Sequence, residues 1–144
     1  MVTYADTSFI VPLFIIEGRS YRATEIADRL SEPLPLTPFL LLDFRNALNL
    51  AIKRGEITPK ERGEMWKSLE RDISDGGFVR VSLSVKEVHR LACELSDRHS
   101  PTIGMQSLDL LHLASAKILG VKKFITFDTH QAQAGKAEGF KIIN

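Results

Sequence analysis

Two aspartates in the segment Ser107–Asp128 stand where chemistry is a more natural explanation than stability. Asp109 lies in a predicted helix whose apolar residues run almost completely round its circumference, and no Lys or Arg lies three or four residues away. A buried carboxylate without a cation is costly, so it needs another partner. Asp128 follows the apolar run Lys123–Phe127, which predicts a strand. Since open α/β sheets bind ligands beyond the carboxyl ends of their strands, both acids are predicted to face one site.

Two further acids stand in comparable positions. Asp6 closes the apolar run 2–5, which predicts the first strand, and Asp43 lies on the flank of the apolar stripe of a predicted helix. Each acid also has a structural explanation. Asp6 and Asp128 could each cap the helix that follows it. Asp109 could be a first-turn acid favoured by the helix dipole, and Asp43 a residue at the edge of the surface.

The four carboxylates are harder to explain together. Two at strand ends and two on inward-facing helix positions would place four negative charges in one pocket. Like charges that close raise one another's pKa and destabilise the fold unless divalent cations lie between them. Oxygen ligands, without a cluster of Cys or His, suit Mg²⁺ or Mn²⁺ rather than zinc. The sequence therefore predicts a magnesium or manganese site.

The elements that would position these acids follow from apolar periodicity, capping residues and glycines. Predicted strands cover 2–5, 34–36, 78–83, 123–127 and 140–143, and predicted helices cover 7–14, 20–30, 38–54, 58–74, 84–99, 108–119 and 129–138. Pro101 and Gly104 predict a loop between two of the helices. Short apolar strands that alternate with helices predict an α/β sandwich with a largely parallel sheet.

Composition sets outer limits on the protein. At 144 residues, the chain is predicted to form one domain, residues 1–144, and its net charge of +1 gives no strong global field for nucleic acid. A local basic rim would still suffice. The single Cys93 excludes an internal disulfide. The apolar run Phe9–Ile16 is short and contains Pro12, so we expect no signal peptide, no membrane span and a cytoplasmic location.

Several motifs of this sequence resemble those of the PIN domain family, specifically the VapC-type toxin ribonucleases of bacterial toxin–antitoxin modules. They read Y-A-D-T-S-F from residue 4, D-F-R-N-A-L from 43, S-L-D-L-L-H-L-A-S-A-K-I-L-G from 107, and F-I-T-F-D from 124, with K-A-E-G-F-K-I-I behind it. The resemblance covers essentially all 144 residues. It implies a PIN-like α/β/α sandwich with a largely parallel central sheet and surrounding helices.

The resemblance also implies site residues. The metal-binding and catalytic acids of the family fall on Asp6, Asp43, Asp109 and Asp128. The family usually has Glu where this chain has Asp43, so the carboxylate is one methylene shorter. The hydroxyl residues beside the acids match the family's tendency to keep hydroxyls near the metal, where they would support its ligands; they are Thr7, Ser8 and Thr126.

The implied activity is that of a Mg²⁺- or Mn²⁺-dependent endoribonuclease that hydrolyses RNA phosphodiester bonds with a metal-activated water. Such hydrolysis leaves a 5′-phosphate and needs no pair of histidines, so His112 is interpreted as a hydrogen-bonded core residue. The implied partners are an RNA substrate, an antitoxin protein and a second copy of the chain. The helices between Pro38 and Ser74, with Met65 and Trp66, could form the dimer surface. Basic residues that could flank the cleft are Arg19, Arg22, Arg45, Lys53 and Arg54.

Two alternatives to a toxin remain open from the sequence. One is a housekeeping PIN nuclease without an antitoxin, and the other is a catalytically weak PIN-like domain that binds RNA or protein. Other classes fit less well. A response-regulator receiver needs an acidic pair after its first strand, whereas Asp6 stands alone, and a phosphohydrolase with an aspartate nucleophile needs Asp-x-Asp. A nucleotide-binding module needs a glycine-rich phosphate loop, which the chain does not have.

Overall fold

Five short parallel strands form the centre of the molecule in the computed structural model, which describes residues 1–144. They are β1 (Thr3–Ala5), β2 (Leu34–Leu36), β3 (Phe78–Arg80), β4 (Lys123–Ile125) and β5 (Lys141–Ile143). β4 is hydrogen-bonded between β1 and β5, β2 is hydrogen-bonded to β3, and β2 lies beside β1. All of the pairings are parallel, as the alternation of strands and helices predicts.

Seven helices connect and cover the strands. They are α1 (Thr7–Phe14), α2 (Ser20–Ala27), α3 (Pro38–Lys53), α4 (Pro59–Ser74), α5 (Val85–Ile103), α6 (Ser107–Leu119) and α7 (Thr129–Ala137). The predicted start signals are confirmed: Thr37 Oγ1 accepts the Leu40 N–H at 3.1 Å, and Thr58 with Glu61 forms a reciprocal capping box. Gly120 ends α6 in the left-handed conformation, at φ 70°. None of the helices combines the length and apolar character that crossing a membrane requires.

The predicted loop at Pro101 is wrong, because α5 continues through this proline to Ile103 and ends only at Gly104. Proline removes one backbone donor, but the following turn still forms, and the Gly104 N–H bonds the Ser100 carbonyl at 3.2 Å. Gly104 then adopts φ 74°, which ends the helix. α5 packs along α6, so tertiary contacts along its length outweigh the loss of one hydrogen bond.

Three other predicted elements extend too far. β3 ends at Arg80 rather than at residue 83, because its partner β2 stops at Leu36, just before α3 begins. α2 ends at Ala27 rather than at residue 30, where hydrogen bonds to the third residue back tighten the chain into turns. β4 ends at Ile125, so Thr126 and Phe127 lie between the strand and Asp128.

The core lies between the sheet and the helices, and α6 has more buried residues than any other helix. Leu110, Leu113, Ala114 and Ala116 of α6 are all buried, and so is His112. This burial on nearly every side confirms the interpretation of the segment as an interior helix. α6 therefore holds its first turn, which carries Asp109, in a fixed place relative to the ends of the strands.

Candidate active site

Asp6 lies between the end of β1 and the start of α1, beside the end of β4. Its N–H donates to the Ile125 carbonyl at 3.2 Å, which continues the β1–β4 pairing by one residue. Its Oδ1 accepts the Ser8 N–H at 3.1 Å and the Ser8 hydroxyl at 2.5 Å, and its Oδ2 accepts the Thr126 hydroxyl at 2.6 Å. Asp6 is therefore the N-cap of α1, as its structural explanation predicts.

The environment of Asp6 disfavours its charge. Only 3% of the residue is exposed, and this burial raises the pKa of Asp6, while the hydrogen bonds from Ser8 and Thr126 act to lower it. The negative charge of Asp109 raises the pKa of Asp6 further. These two carboxylates therefore lie near each other in the fold, although they are far apart in the sequence.

Asp128 caps α7 in the same manner. Its Oδ1 accepts the Gln131 N–H at 2.8 Å, and its own N–H donates to Thr126 Oγ1 at 3.0 Å. The Thr126 hydroxyl thus accepts from the backbone of Asp128 and donates to the carboxylate of Asp6. One buried hydroxyl therefore couples the two strand-end acids, and the role of Thr126 in supporting metal ligands stays a prediction.

Asp109 occupies the first turn of α6, half-buried. Its Oδ2 accepts the Gln106 N–H at 3.3 Å. Burial raises the pKa of Asp109, and the charges of Asp128 and Asp43 raise it further. Asp109 therefore lies close enough to feel the charges of Asp128 and Asp43, and its own charge acts on Asp6.

Asp43 lies on α3 and is held by two side chains. Its Oδ2 accepts the Thr7 hydroxyl at 2.6 Å and lies 3.1 Å from His112 Nε2. Burial acts to raise the pKa of Asp43, but the hydrogen bonds from His112 and Thr7 outweigh it and leave the pKa below its ordinary value. Asp43 therefore carries its charge more readily than Asp6 and Asp109, whose pKa values are raised.

His112 is a buried link between Asp43 and the sheet. Its Nδ1 lies 2.8 Å from the hydroxyl of Tyr4, which is fully buried in β1. An ionised carboxylate only accepts hydrogen bonds, so the proton must be on Nε2, and in the neutral ring Nδ1 then accepts from the Tyr4 O–H. The interpretation of His112 as a hydrogen-bonded core residue is confirmed, but its partner is one of the predicted site acids.

Three of the four acids leave one carboxylate oxygen without a hydrogen bond. Asp43 and Asp109 use only Oδ2, and Asp128 uses only Oδ1. Gln131 Oε1 is the one buried side-chain polar atom without a hydrogen-bond partner. The free oxygens of Asp43, Asp109 and Asp128 are therefore accessible to water. Asp6, by contrast, uses both of its oxygens.

The acids do not form a complete coordination site for a cation without bound water. No three of the His, Cys, Asp and Glu side chains lie close enough to ligate one ion together. The donor set nevertheless suits a hydrated ion, because Mg²⁺ keeps several waters and takes one or two carboxylates directly. The assignment of Asp6, Asp43, Asp109 and Asp128 as ligands stays a prediction.

Two polar residues of the site escaped the sequence analysis. Tyr4 lies two residues before Asp6 in a strand, so strand periodicity places both side chains on one face and could have identified it. Gln131 is the third residue after the cap Asp128, the position of Gln in a capping box. Its Nε2 instead donates to the Asp109 carbonyl at 3.0 Å, and its Oε1 is buried without a partner. A buried acceptor of this kind can be satisfied by an ordered water molecule.

These features define an α/β protein with a group of acidic side chains at the carboxyl end of a parallel sheet. The chain belongs to the PIN domain family, whose sequence model matches residues 3–137. The resemblance carried by the sequence motifs is thereby confirmed, together with the PIN-like α/β/α fold.

Known structures share this fold over nearly the whole chain. The crystal structure of VapC20 from Mycobacterium tuberculosis, a toxin that cleaves the sarcin–ricin loop, is 16% identical, with 96% of each chain covered and a TM-score of 0.70. FitAcB from Neisseria gonorrhoeae is 18% identical, with coverage of 99% and 97% and a TM-score of 0.72. VapBC2 from Rickettsia felis, bound to a promoter DNA fragment, is 14% identical, with coverage of 100% and 98% and a TM-score of 0.67. A comparison with curated protein sequences gave no match.

Proposed function

We propose that this protein is a divalent-metal-dependent endoribonuclease and the toxin of a toxin–antitoxin module. The observation that carries the proposal is the set of free, water-accessible carboxylate oxygens on Asp43, Asp109 and Asp128 beside the buried Asp6. A stabilising role for these acids requires only the oxygens that are already bonded. The family assignment supports nuclease chemistry, and the cleaving toxin among the similar structures supports RNA as the substrate.

In this proposal, Asp6, Asp109 and Asp128 hold the metal, and Asp43 completes the negative wall of the cleft. A bound Mg²⁺ or Mn²⁺ would lower the pKa of a water molecule and neutralise charge on the phosphate during in-line displacement. The protein contributes orientation. Ser8 and Thr126 fix both oxygens of Asp6, while His112 turns Asp43 so that Oδ1 stays available. That oxygen can accept a hydrogen bond from water entering the cleft.

The test is cleavage of a mixed pool of single-stranded RNA with Mn²⁺, with EDTA, and after Mn²⁺ is restored. We expect cleavage by the wild type only when metal is present, and products with 5′-phosphate ends. Asp6→Asn should abolish cleavage, since it removes a ligand charge. Asp97→Asn is the matched control, because Asp97 is an exposed acid on α5 and its loss should leave the rate unchanged. Cleavage that continues in EDTA, or in Asp6→Asn, would refute the proposal.

The antitoxin belongs to the same proposal. Some of the similar structures are toxin–antitoxin complexes, for example one from Klebsiella pneumoniae with a TM-score of 0.68. A cleft lined by four acids would attract an Arg side chain, which could occupy the cation site and block catalysis. We expect a small protein encoded next to this chain to co-purify with it and to relieve its toxicity. A neighbour that does neither would favour the alternative of a housekeeping nuclease.

We also propose a homodimer formed through the outer faces of α3 and α4. Leu42 and Leu50 of α3 are exposed, Leu42 by 61%. Trp66 contributes less than the sequence suggests, because it stacks on Phe44 and the Arg45 guanidinium covers its ring at 4.1 Å. Leu42→Asp should shift the mass measured by light scattering to that of a monomer. Val85→Asp, at an exposed valine on α5, should leave the dimer intact, and a monomeric wild type would contradict the proposal.

A further inference from the structure

Arg19 is an exposed residue whose guanidinium is nevertheless held in one place. Its Nη1 donates to the Phe127 carbonyl at 2.6 Å, and its central carbon lies 5.2 Å from the centroid of the Phe127 ring. Phe127 is itself packed against Phe9, with 5.9 Å between ring centroids. Phe9 is fully buried. The orientation of Arg19 is therefore tied to the core through Phe127, which is unusual for a surface arginine.

This arginine lines a cavity that leads directly to the acids. The cavity has a volume of about 380 Å³, and its polar lining residues are Thr7, Ser8, Glu17, Arg19 and Asp128, beside the Phe127 ring. Asp128 is part of this lining, and Thr7 and Ser8 donate hydrogen bonds to Asp43 and Asp6, so the cavity adjoins the acids. Arg19 is the only basic residue of the lining.

The charge of Arg19 is also available. The ion pairs of this protein involve other residues, and neither Glu17 nor Asp128 lies within ion-pair distance of Arg19. A guanidinium has five N–H donors in a planar fork, and the contact with the Phe127 carbonyl uses only one of its nitrogens. The remaining donors match the oxygens of a phosphate.

An RNA strand approaching this cleft meets repulsion from the acids, so it needs a fixed cation close to its path. We propose that Arg19 binds a phosphate of single-stranded RNA that flanks the phosphodiester bond to be cut. This inference rests on the proposed nuclease function and assigns to that site its substrate-holding residue. A phosphate is favoured over a base because the guanidinium already covers the Phe127 ring, the aromatic surface of the cavity on which a base could stack.

Binding is measured directly by the fluorescence anisotropy of a short 5′-labelled single-stranded RNA. The protein carries Asp109→Asn, so that the RNA stays intact in Mg²⁺. Adding Arg19→Ala should raise the Kd about 5- to 10-fold and reduce the slope of log affinity against log salt by about 0.7, as loss of one phosphate contact on a single strand does. Arg19→Lys should give an intermediate Kd, because the charge remains without the planar fork.

Arg29→Ala is the matched control, since Arg29 is exposed on the neighbouring segment and its nearest partner is Glu25. It should leave both the Kd and the salt slope unchanged. Thermal melts should coincide for all of the variants, because both arginines are exposed. An Arg19→Ala protein that binds RNA with the wild-type Kd and slope would overturn the inference, and so would an equal loss in Arg29→Ala.

Steady-state cleavage with Mn²⁺ separates this inference from the nuclease proposal. Arg19→Ala in the otherwise wild-type chain should raise KM while kcat stays near its original value, because the contact is made with substrate and transition state alike. Weaker RNA binding in Arg19→Ala, combined with a wild type that never cuts RNA, would keep the inference and refute the nuclease. If Arg19→Ala cleaves and binds RNA normally but no longer binds the antitoxin, Arg19 contacts the protein partner and the inference is overturned.

Discussion

Replacing Glu138 by Gln should destabilise the protein at neutral pH and have much less effect in acid. The Glu138 side chain is only 4% exposed and contacts three basic groups, those of Lys117, Arg98 at 2.6 Å and His99 at 2.6 Å. Although burial acts to raise the pKa of Glu138, the hydrogen bonds from these groups lower it from an ordinary 4.5 to about 2.

The magnitude follows from linkage. At about 1.4 kcal/mol per pH unit, a pKa near 2 rather than 4.5 corresponds to about 3 kcal/mol of stability. Because the folded-state pKa of Glu138 is the lower one, this stability is fully present above pH 4.5 and is lost as the pH falls toward 2. Arg98 and Lys117 are partly open to solvent, which screens the interaction and brings the expected loss in Glu138→Gln at pH 7 to roughly 2 kcal/mol.

Urea unfolding of the wild type and Glu138→Gln between pH 7 and pH 3 measures this effect. The difference in unfolding free energy should be largest at pH 7 and fall to less than half of that value by pH 3. Glu94→Gln is the control, because Glu94 pairs with Arg90 on the exposed side of α5, and its loss should cost at most about 0.5 kcal/mol. A difference for Glu138→Gln that stays constant with pH would refute the electrostatic explanation.

Four further substitutions test the site and the elements around it. In EDTA, Asp109→Asn should be as stable as the wild type or slightly more stable, since burial and neighbouring acids raise the pKa of Asp109. Its Mn²⁺-dependent RNA cleavage should fall by orders of magnitude. A variant that melts early but still cleaves RNA would contradict this prediction. His112→Ala should lower the free energy of unfolding by about 3 kcal/mol, because it opens a cavity and strands the buried Tyr4 hydroxyl, and a loss below about 0.5 kcal/mol in urea unfolding would contradict it. Gly120→Ala should lower the stability by about 1 kcal/mol in a thermal melt, because residue 120 has a φ of 70°. Gly63→Ala, inside α4 where an added Cβ would meet nothing within 4 Å, should raise the stability by up to about 1 kcal/mol. Stability changes of the same sign in the two variants would contradict this explanation.

The parallel architecture could be predicted from the sequence because its local signals agree with one another. Thr37 and Thr58 mark helix starts by their side-chain oxygens, and Gly120 marks a helix end by its conformation. The acids at the ends of β1 and β4 could be assigned to one edge because adjacent parallel strands end together. The helix signals are carried by residues near one another in the chain, and the edge assignment needs only the common direction of the two strands.

Contacts between distant segments could not be predicted in this way. The helix through Pro101 persists because α5 packs on α6, and no residue near Pro101 records that contact. The link from Tyr4 through His112 to Asp43 joins β1, α6 and α3, and nothing in the local sequence of any one element indicates the other two. The tether of Arg19 to Phe127 has the same origin.

The structural and functional explanations of the acids, which compete in the sequence, are compatible in the folded protein. A carboxylate has two oxygens, and a helix cap or a side-chain contact requires only one of them. Asp128 caps α7 through Oδ1 and leaves Oδ2 free, and Asp109 accepts the Gln106 N–H through Oδ2 and leaves Oδ1 free. The bonded oxygen fixes the direction of the free one, which a ligand for a hydrated cation requires. Capping is therefore compatible with the predicted metal site, because Asp109 and Asp128 each keep one oriented oxygen free.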